Sequence, residues 1–345
     1  MRLLRPIVTR LVVALAAFLV WALCVHLAGA DLGRAGLGFL RGALGTQYGL
    51  SEVLVRTTPL LLAGLGVSVG FQAGFFNIGA EGQIYAGATA ATACALALPG
   101  LPAPVLLPLG LLAGFAAGAA WALGPGWLKA RLGLSEIINT IMLTYVAVNV
   151  VGLLVRTALK DPAYPLPVSP ATPEGFTLPV LLEGSRLHAG FLVALAAAVG
   201  VQLLLRHTAA GFRLRAVGEN PRACQVAGIA VGRTVLLAAG ASGGLAGLAG
   251  AVEIAGVHHK LLEGISPGFG YTAIVVALLG RNRPAGIVLA AVGIAALQVG
   301  SSAMQRVAGV PSSIAWIVMG TLVALVLARP ALERWRRPAG VEAAS

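Results

Sequence analysis

The stretch FFNIGAEGQIYAGA, residues 75–88, decides the fold because it places polar groups between two long apolar runs. Asn77, Glu81 and Gln83 interrupt a chain that is 58% hydrophobic and only 10% charged. Gly79 and Gly82 each cost about 1 kcal/mol relative to Ala inside a helix. The stretch therefore predicts a break between two helices, with Asn77 capping the second helix and Glu81 in its first turn.

The composition predicts a membrane protein. A chain of 345 residues with a mean hydropathy of +0.90 has too little polar surface to cover a water-soluble globule. We expect an all-α, polytopic helical bundle that forms a single transmembrane domain over residues 1–345. The apolar segments of spanning length are 7–30, 53–72, 79–98, 104–127, 134–155, 189–206, 233–256, 284–304 and 311–328. A shorter segment, 269–280, brings the expected count to about ten.

The positive charges support this count and give the chain an orientation. With ten segments and both termini in the cytoplasm, about two thirds of the 24 Lys and Arg residues fall on the cytoplasmic side. The net charge of +12 is then mostly a matter of topology, and its scatter over short loops argues against nucleic acid as a partner. An alternative interpretation of the first segment is a cleaved secretory signal.

The break at residues 75–88 has two interpretations. A charged side chain facing lipid at the centre of a helix costs on the order of 2.5–3.5 kcal/mol, so Glu81 must face a polar interior. Broken helices of transporters line substrate cavities in this way. The alternative is a structural lock, in which Asn77, Glu81 and Gln83 satisfy one another and the neighbouring backbone.

A second break is predicted at residues 258–280, where Pro267, Gly268 and Gly270 precede the short apolar segment. Two interrupted segments, one in each half of the chain, indicate a binding region. The adjacent His258 and His259 would diverge by about 100° on a helix and make a poor metal pair. The three cysteines match no metal or disulfide spacing, and we expect them to be packing residues.

Two long connections differ in character. Residues 156–188 carry six prolines and predict an irregular extracytoplasmic loop. Residues 206–233 are predicted to be cytoplasmic, and Asn220 followed by Pro221 predicts a short helix that ends near Ala227, before Gly228. Glycines recur every four residues from Gly66 and again from Gly110, with a further cluster at 240–247, and this spacing predicts close helix packing.

Enzymatic signatures such as a P-loop or an HExxH motif do not occur in the sequence. The stretch SEIINTIMLTY, residues 135–145, places Glu136, Asn139 and Thr140 on one helical face, where Ser135 or Glu136 begins a helix or the three residues line a pathway. Glu253 is interpreted equally well as an external gate or as an interfacial residue.

Three motifs together resemble the permease subunits of bacterial ABC importers in the nucleoside and simple-sugar branch, the group related to ribose permeases. They are FNIGAEGQ at 76–83, SEIINTIMLTYVA at 135–147 and GFRLRAVGENPRACQVAGI at 211–229, and the first two are most similar to the nucleoside members. The resemblance covers roughly residues 50–325. It implies a subunit of the bacterial cytoplasmic membrane that works with a second, identical or different, permease subunit, a separate ABC ATPase and an extracytoplasmic substrate-binding lipoprotein.

The resemblance also implies an ATPase-coupling segment and no cofactor bound by this chain, because ATP and magnesium belong to the ATPase. The expected substrate pathway comprises Phe75, Asn77, Glu81, Gln83, Asn139, Thr140, Phe269 and Tyr271. The expected ATPase-coupling segment comprises Arg215, Gly218, Glu219, Asn220, Pro221 and Arg222. An alternative from a different class is a proton-coupled secondary transporter with Glu81 as the proton carrier.

Overall fold

The computed structural model describes the backbone of residues 4–335 and the side chains of residues 15–325 and 328. This part of the chain is helical, without a named strand, as predicted. The helices are α1 (Leu4–Leu27), α2 (Leu32–Ala43), α3 (Gln47–Gln72), α4 (Ala80–Ala97), α5 (Ala103–Leu132), α6 (Glu136–Leu154), α7 (Gly190–His207), α8 (Ala209–Glu219), α9 (Pro221–Val226), α10 (Val231–Glu253), α11 (Phe269–Leu279), α12 (Pro284–Ala308) and α13 (Ile314–Trp335).

Six of the described helices are long and apolar enough to cross a membrane, or seven if the bent pair α1 and α2 counts as one span. Each predicted segment contains a helix, but several helices do not reach spanning length and hydropathy by themselves. The count of about ten crossings therefore remains a prediction. Helix α4 carries Glu81 and Gln83, which lower its hydropathy, and α11 is short, as expected from its sequence.

Within residues 4–335 the chain packs as two compact units, and each has its own core. One unit spans 51–295, and its central packing brings α10 against α5 and α4. The other contains the chain up to Leu50 and from Ala296 onward, where Val25, Ala35 and Met304 are fully buried in one cluster. Helix α2 in this unit was not predicted; Asp31 starts it by accepting a hydrogen bond from the Arg34 N–H at 2.6 Å.

The glycine clusters bring α5 and α10 into backbone contact, as predicted. Gly118 of α5 lies against Gly247 of α10 so closely that a Cβ built on Gly118 would stand 2.6 Å from the Gly247 Cα atom. Such an approach gains van der Waals contact that lipid does not supply. Gly74 departs from the predicted pattern, because it lies beyond the end of α3 with φ +70°.

The loop at 156–188 is irregular, as predicted, and it docks on the chain that follows α10. Its backbone donates from Ser169 to Leu261 O at 2.8 Å and from Leu178 to Ala255 O at 2.9 Å. Phe176, in a short 3₁₀ turn, is fully buried. The loop is thus ordered: its backbone is hydrogen-bonded to the segment that follows α10, and its Phe176 side chain is buried.

His188 ends this loop and gives it a pH dependence. Its Nδ1 accepts the Gly190 N–H at 3.1 Å, and its ring is 1% exposed. Burial, together with the neighbouring His259, lowers the pKa of His188 to about 4. The unfolded chain takes up a proton near pH 6.5 while the folded chain resists it, so the free energy of unfolding falls as the pH drops from 6.5 toward 4, by about 3 kcal/mol in total.

We expect the melting temperature of the purified protein to fall over that interval and to fall less in His188→Asn, whose amide oxygen replaces the Nδ1 acceptor. A thermal shift series from pH 7.5 to 4 measures it. Equal pH slopes in both proteins would show that His188 does not carry this dependence.

Candidate functional site

The first helix break lies where the sequence predicted it. Helix α3 ends at Gln72 and α4 begins at Ala80, and Glu81 occupies the first turn of α4. The prediction that Asn77 caps α4 is wrong, because the N-cap is Gly79 and no side chain bonds to that end. Asn77 is engaged elsewhere.

Asn77 and Gln83 form a reciprocal pair across the break. The Asn77 amide nitrogen donates to Gln83 Oε1 at 2.7 Å, and the Gln83 amide nitrogen donates to Asn77 Oδ1 at 2.9 Å. Asn77 also donates to the Ser242 hydroxyl of α10 at 2.8 Å. These three side chains are at most 1% exposed, so their polar groups are satisfied inside the bundle.

Glu81 joins the first break to the second. Its carboxylate accepts the Gly270 N–H at 2.6 Å and the Gly268 N–H at 3.2 Å, and it is also hydrogen-bonded to the Ser266 side chain. Glu81 is 4% exposed. The second break, which precedes α11 at Phe269, thus meets the first at one side chain.

Two helix ends explain why a carboxylate belongs at this junction. Glu81 lies in the first turn of α4, while Gly268 and Gly270 lie at the N-terminus of α11, whose N-cap has no side-chain hydrogen bond of its own. The free N–H groups and positive dipole end of each helix attract negative charge. Glu81 therefore serves both α4 and α11 and ties together two segments 187 residues apart.

An ion pair holds the other end of the first break. Lys129 at the end of α5 bonds to Glu136 Oε1 at 2.5 Å and also donates to the Gly74 carbonyl. Glu136 begins α6 and accepts the Phe76 N–H at 3.2 Å. The structural interpretation of Glu136 as a helix start is consistent with this geometry, and the break is held by residues of α5, α6, α10 and α11.

Beside the junction lies a partly exposed aromatic surface. Tyr271 of α11 is 40% exposed and is close enough to Glu81 and to Tyr145 of α6 to interact with them electrostatically. Tyr145 is 59% exposed. The Asn139 amide nitrogen is shielded from solvent and has no hydrogen-bond partner among the described residues. Thr140 is buried and bonds to the Glu136 carbonyl at 2.7 Å, and Phe269 is 7% exposed.

Phe75 lies apart from that surface, although it belongs to the predicted pathway. It is fully buried in a cluster with Val217 of α8, Cys224 of α9 and Val235 of α10. Gly218 of α8 reinforces this contact, because a Cβ there would stand 2.9 Å from the Gln72 carbonyl carbon. The predicted coupling segment therefore packs directly on the break between α3 and α4.

The short helix of that segment forms as predicted. Asn220 accepts the Ala223 N–H at 3.0 Å, Pro221 occupies the first helical position, and α9 ends at Val226, one residue before the predicted end. Val226 is 92% exposed at its end, and Glu219 and Arg222 are also exposed. Arg215 instead donates to the Leu205 carbonyl, where it satisfies the end of α7.

Sequence reasoning missed Ser242, Ser266, Lys129 and Tyr145 as members of the site. Tyr145 stands inside a motif already singled out, so its type and position were a usable signal. Ser266 lies inside the second break itself, whereas Lys129 and Ser242 reach the first break from distant parts of the chain. Among the described residues, no group of three or more His, Cys, Asp or Glu side chains is placed to hold a metal ion.

Long apolar helices together with two helix breaks that meet at a buried carboxylate are typical of a multi-pass membrane transport protein. The chain belongs to the family described as the permease component of branched-chain amino acid transport systems, whose family model matches residues 49–327. It is a permease subunit, and ATP hydrolysis falls to a separate ATPase.

Three curated relatives agree with this membership. The chain is 38% identical over 306 residues to a glucose ABC transporter permease protein of Haloferax volcanii, with 85% of this chain and 80% of the relative covered. It is 39% identical to a guanosine ABC transporter permease protein of Bacillus subtilis (83% and 82% covered) and 32% identical to a nucleoside ABC transporter permease protein of Lactococcus lactis (84% and 82% covered). No solved structure matches the chain.

The relatives are ABC permeases, and nothing in the comparisons favours the alternative of a proton-coupled secondary transporter. The predicted resemblance to nucleoside and sugar permeases is confirmed.

Proposed function

We propose that this chain carries a nucleoside across the bacterial cytoplasmic membrane as one permease of an ABC importer. The identity to guanosine and nucleoside permeases over most of the chain supports this proposal most directly. In the proposed assembly, the chain is one permease domain with about ten membrane segments and cytoplasmic termini. It pairs with a second permease, two ATPase sites that bind ATP and magnesium, and an extracytoplasmic lipoprotein.

The proposed route passes the junction of the two breaks. The rings of Tyr271 and Tyr145 offer flat aromatic faces on which a nucleobase stacks. The Asn139 amide nitrogen has no partner among the described residues and is shielded in this conformation, and it becomes a donor to the nucleobase only when the bundle opens the route. The wall behind these groups is formed or supported by Glu81, Asn77, Gln83, Thr140 and Phe269. Phe75 lies outside this wall, in the cluster with Val217 and Cys224. The structural interpretation and the pathway interpretation of Glu81 are then compatible. Its hydrogen bonds fix the two helix breaks in place, and the fixed breaks form one side of the substrate route.

A sugar is the second candidate substrate, because a glucose permease is 38% identical to this chain. Uptake into proteoliposomes by the whole importer separates the two. We expect ATP-dependent accumulation of labelled guanosine, with competition by other nucleosides and none by glucose or pentoses. Accumulation of glucose that nucleosides do not compete would overturn the nucleoside assignment.

For the coupling segment, we propose that α9 docks on the ATPase through its exposed surface, with Glu219, Asn220, Pro221 and Arg222 shaping that contact. Gly218 and the cluster around Phe75 would carry its movement to the break between α3 and α4. Support comes from the shared core of Phe75, Val217 and Cys224, which leaves little room for α9 to move alone. Arg215 would brace the base of the segment.

The double variant Asn220→Ala, Pro221→Ala is expected to lower the amount of ATPase that co-purifies with the permease, because α9 loses its N-cap and its first helical residue. Loss of the cap alone costs about 1 kcal/mol in a helix of six residues. Membrane insertion should not change. Asn220→Asp, which caps equally well, is the matched control; normal co-purification of the double variant would contradict the docking role.

A further inference from the structure

A cavity of about 580 Å³ lies among α7, α8, α10 and the loop that follows α9. Its wall is largely aliphatic and includes Leu204, Leu214 and Leu237. Two cations, Arg213 and Arg233, also line it, and the lining contains no acidic side chain. The cavity therefore combines an apolar wall with concentrated positive charge.

The two arginines are available to a ligand. Both are exposed, and neither guanidinium has a hydrogen-bond or ion-pair partner among the described residues. Ala230, which also lines the cavity, is the N-cap of α10 and supplies no side-chain acceptor, so the first N–H groups of α10 point to the same region without a cap. All these groups favour an anion.

The position of the cavity identifies the kind of anion. It lies at the C-terminal end of α7 and the N-terminal end of α10, and both helices are candidate membrane spans. The arginines are thus at the edge of the bilayer, where phospholipid headgroups lie. The aliphatic wall continues to Ala241, about 15 Å along α10 from its first residue and toward the hydrocarbon.

We propose that this cavity binds an anionic phospholipid. Its phosphate lies between Arg213 and Arg233, and an acyl chain follows Leu204, Leu237 and Ala241. A free phosphate would use the arginines but not the aliphatic wall, and an acidic surface of the ATPase would not extend into the hydrocarbon. The inference needs the membrane placement of α7 and α10 but not the nature of the transported substrate.

Native mass spectrometry of the delipidated importer, titrated with phosphatidylglycerol or phosphatidylcholine, tests the proposal. We expect phosphatidylglycerol to bind and Arg213→Gln with Arg233→Gln to weaken that binding roughly 30-fold, since each cation near the surface contributes about 1 kcal/mol. Arg213→Lys with Arg233→Lys should retain most of it. Arg131→Gln, another exposed arginine at the end of a span, is the matched control and should bind normally.

Three results would overturn the proposal. The first is equal retention of phosphatidylglycerol by the double Gln variant and the unchanged protein. The second is equal binding of phosphatidylcholine. The third is displacement of phosphatidylglycerol by millimolar inorganic phosphate, or binding to the separated permease subunits that the assembled importer lacks, which would identify a phosphate site or a protein contact instead.

Discussion

Glu81→Ala is expected to abolish transport and to destabilise the permease by about 3–5 kcal/mol. The substitution leaves the Gly268 and Gly270 N–H groups and the Ser266 hydroxyl without an acceptor inside the bundle. It also removes the negative charge from the N-terminal ends of α4 and α11. Thermal denaturation of the purified chain and ATP-dependent uptake by the importer measure the two effects.

The melting temperature and the uptake rate of Glu81→Gln should lie between those of Glu81→Ala and the unchanged protein. The Gln side chain has one oxygen that accepts hydrogen bonds, whereas the carboxylate has two. Glu263→Ala is the control: the Glu263 side chain is 37% exposed and pairs with Arg156, which is 59% exposed, so its loss should change stability by less than about 1 kcal/mol. If Glu81→Ala melts and transports like Glu263→Ala, the carboxylate does not hold the two breaks together.

Gly247→Leu is expected to prevent assembly of the bundle. A Cβ on Gly247 would stand 2.8 Å from the Gly118 Cα atom, and it would also overlap the Gly114 carbonyl. Since these contacts are backbone, α5 and α10 would have to separate, and that cost exceeds the 1–3 kcal/mol that is typical of overpacking. Size-exclusion chromatography of a fluorescent fusion in mild detergent should show aggregate in place of a single peak.

Gly200→Leu is the matched control, because Gly200 lies inside the candidate span α7 and a Cβ there meets no atom within 4 Å. It should elute normally. A single peak for Gly247→Leu as well would mean that the close approach of α5 and α10 is not needed for folding.

The two breaks were predictable because their signals are local. Clustered glycines and a buried acid cannot continue a lipid-facing helix, and Asn220 with Pro221 starts a helix wherever the chain permits. The polar character of Asn77 and Gln83 was visible for the same reason. These features depend on residues within one or two turns of one another.

The partners of these residues were not predictable, because they come from distant parts of the chain. Nothing near Glu81 in sequence indicates that Gly268 and Gly270 supply its hydrogen bonds. Likewise, nothing near Phe75 indicates that its ring packs against residues of α8 and α9. Asn77 looked like a cap for α4 but pairs with Gln83 and Ser242, since tertiary contacts outweigh a local preference. Helix α2 was missed because its amphipathic sequence pattern covers only 12 residues, which is too short for a membrane span.

Cysteine accessibility at Tyr271 tests the central claim most directly. In a background without Cys24, Cys94 and Cys224, Tyr271→Cys should react with a membrane-impermeant thiol reagent while the importer turns over, and guanosine should slow the reaction. Leu289→Cys, which is more exposed but lies on the apolar helix α12, should stay unreactive. A Tyr271→Cys permease that transports but never reacts, with or without ATP and guanosine, would contradict a route past the meeting point of the two breaks.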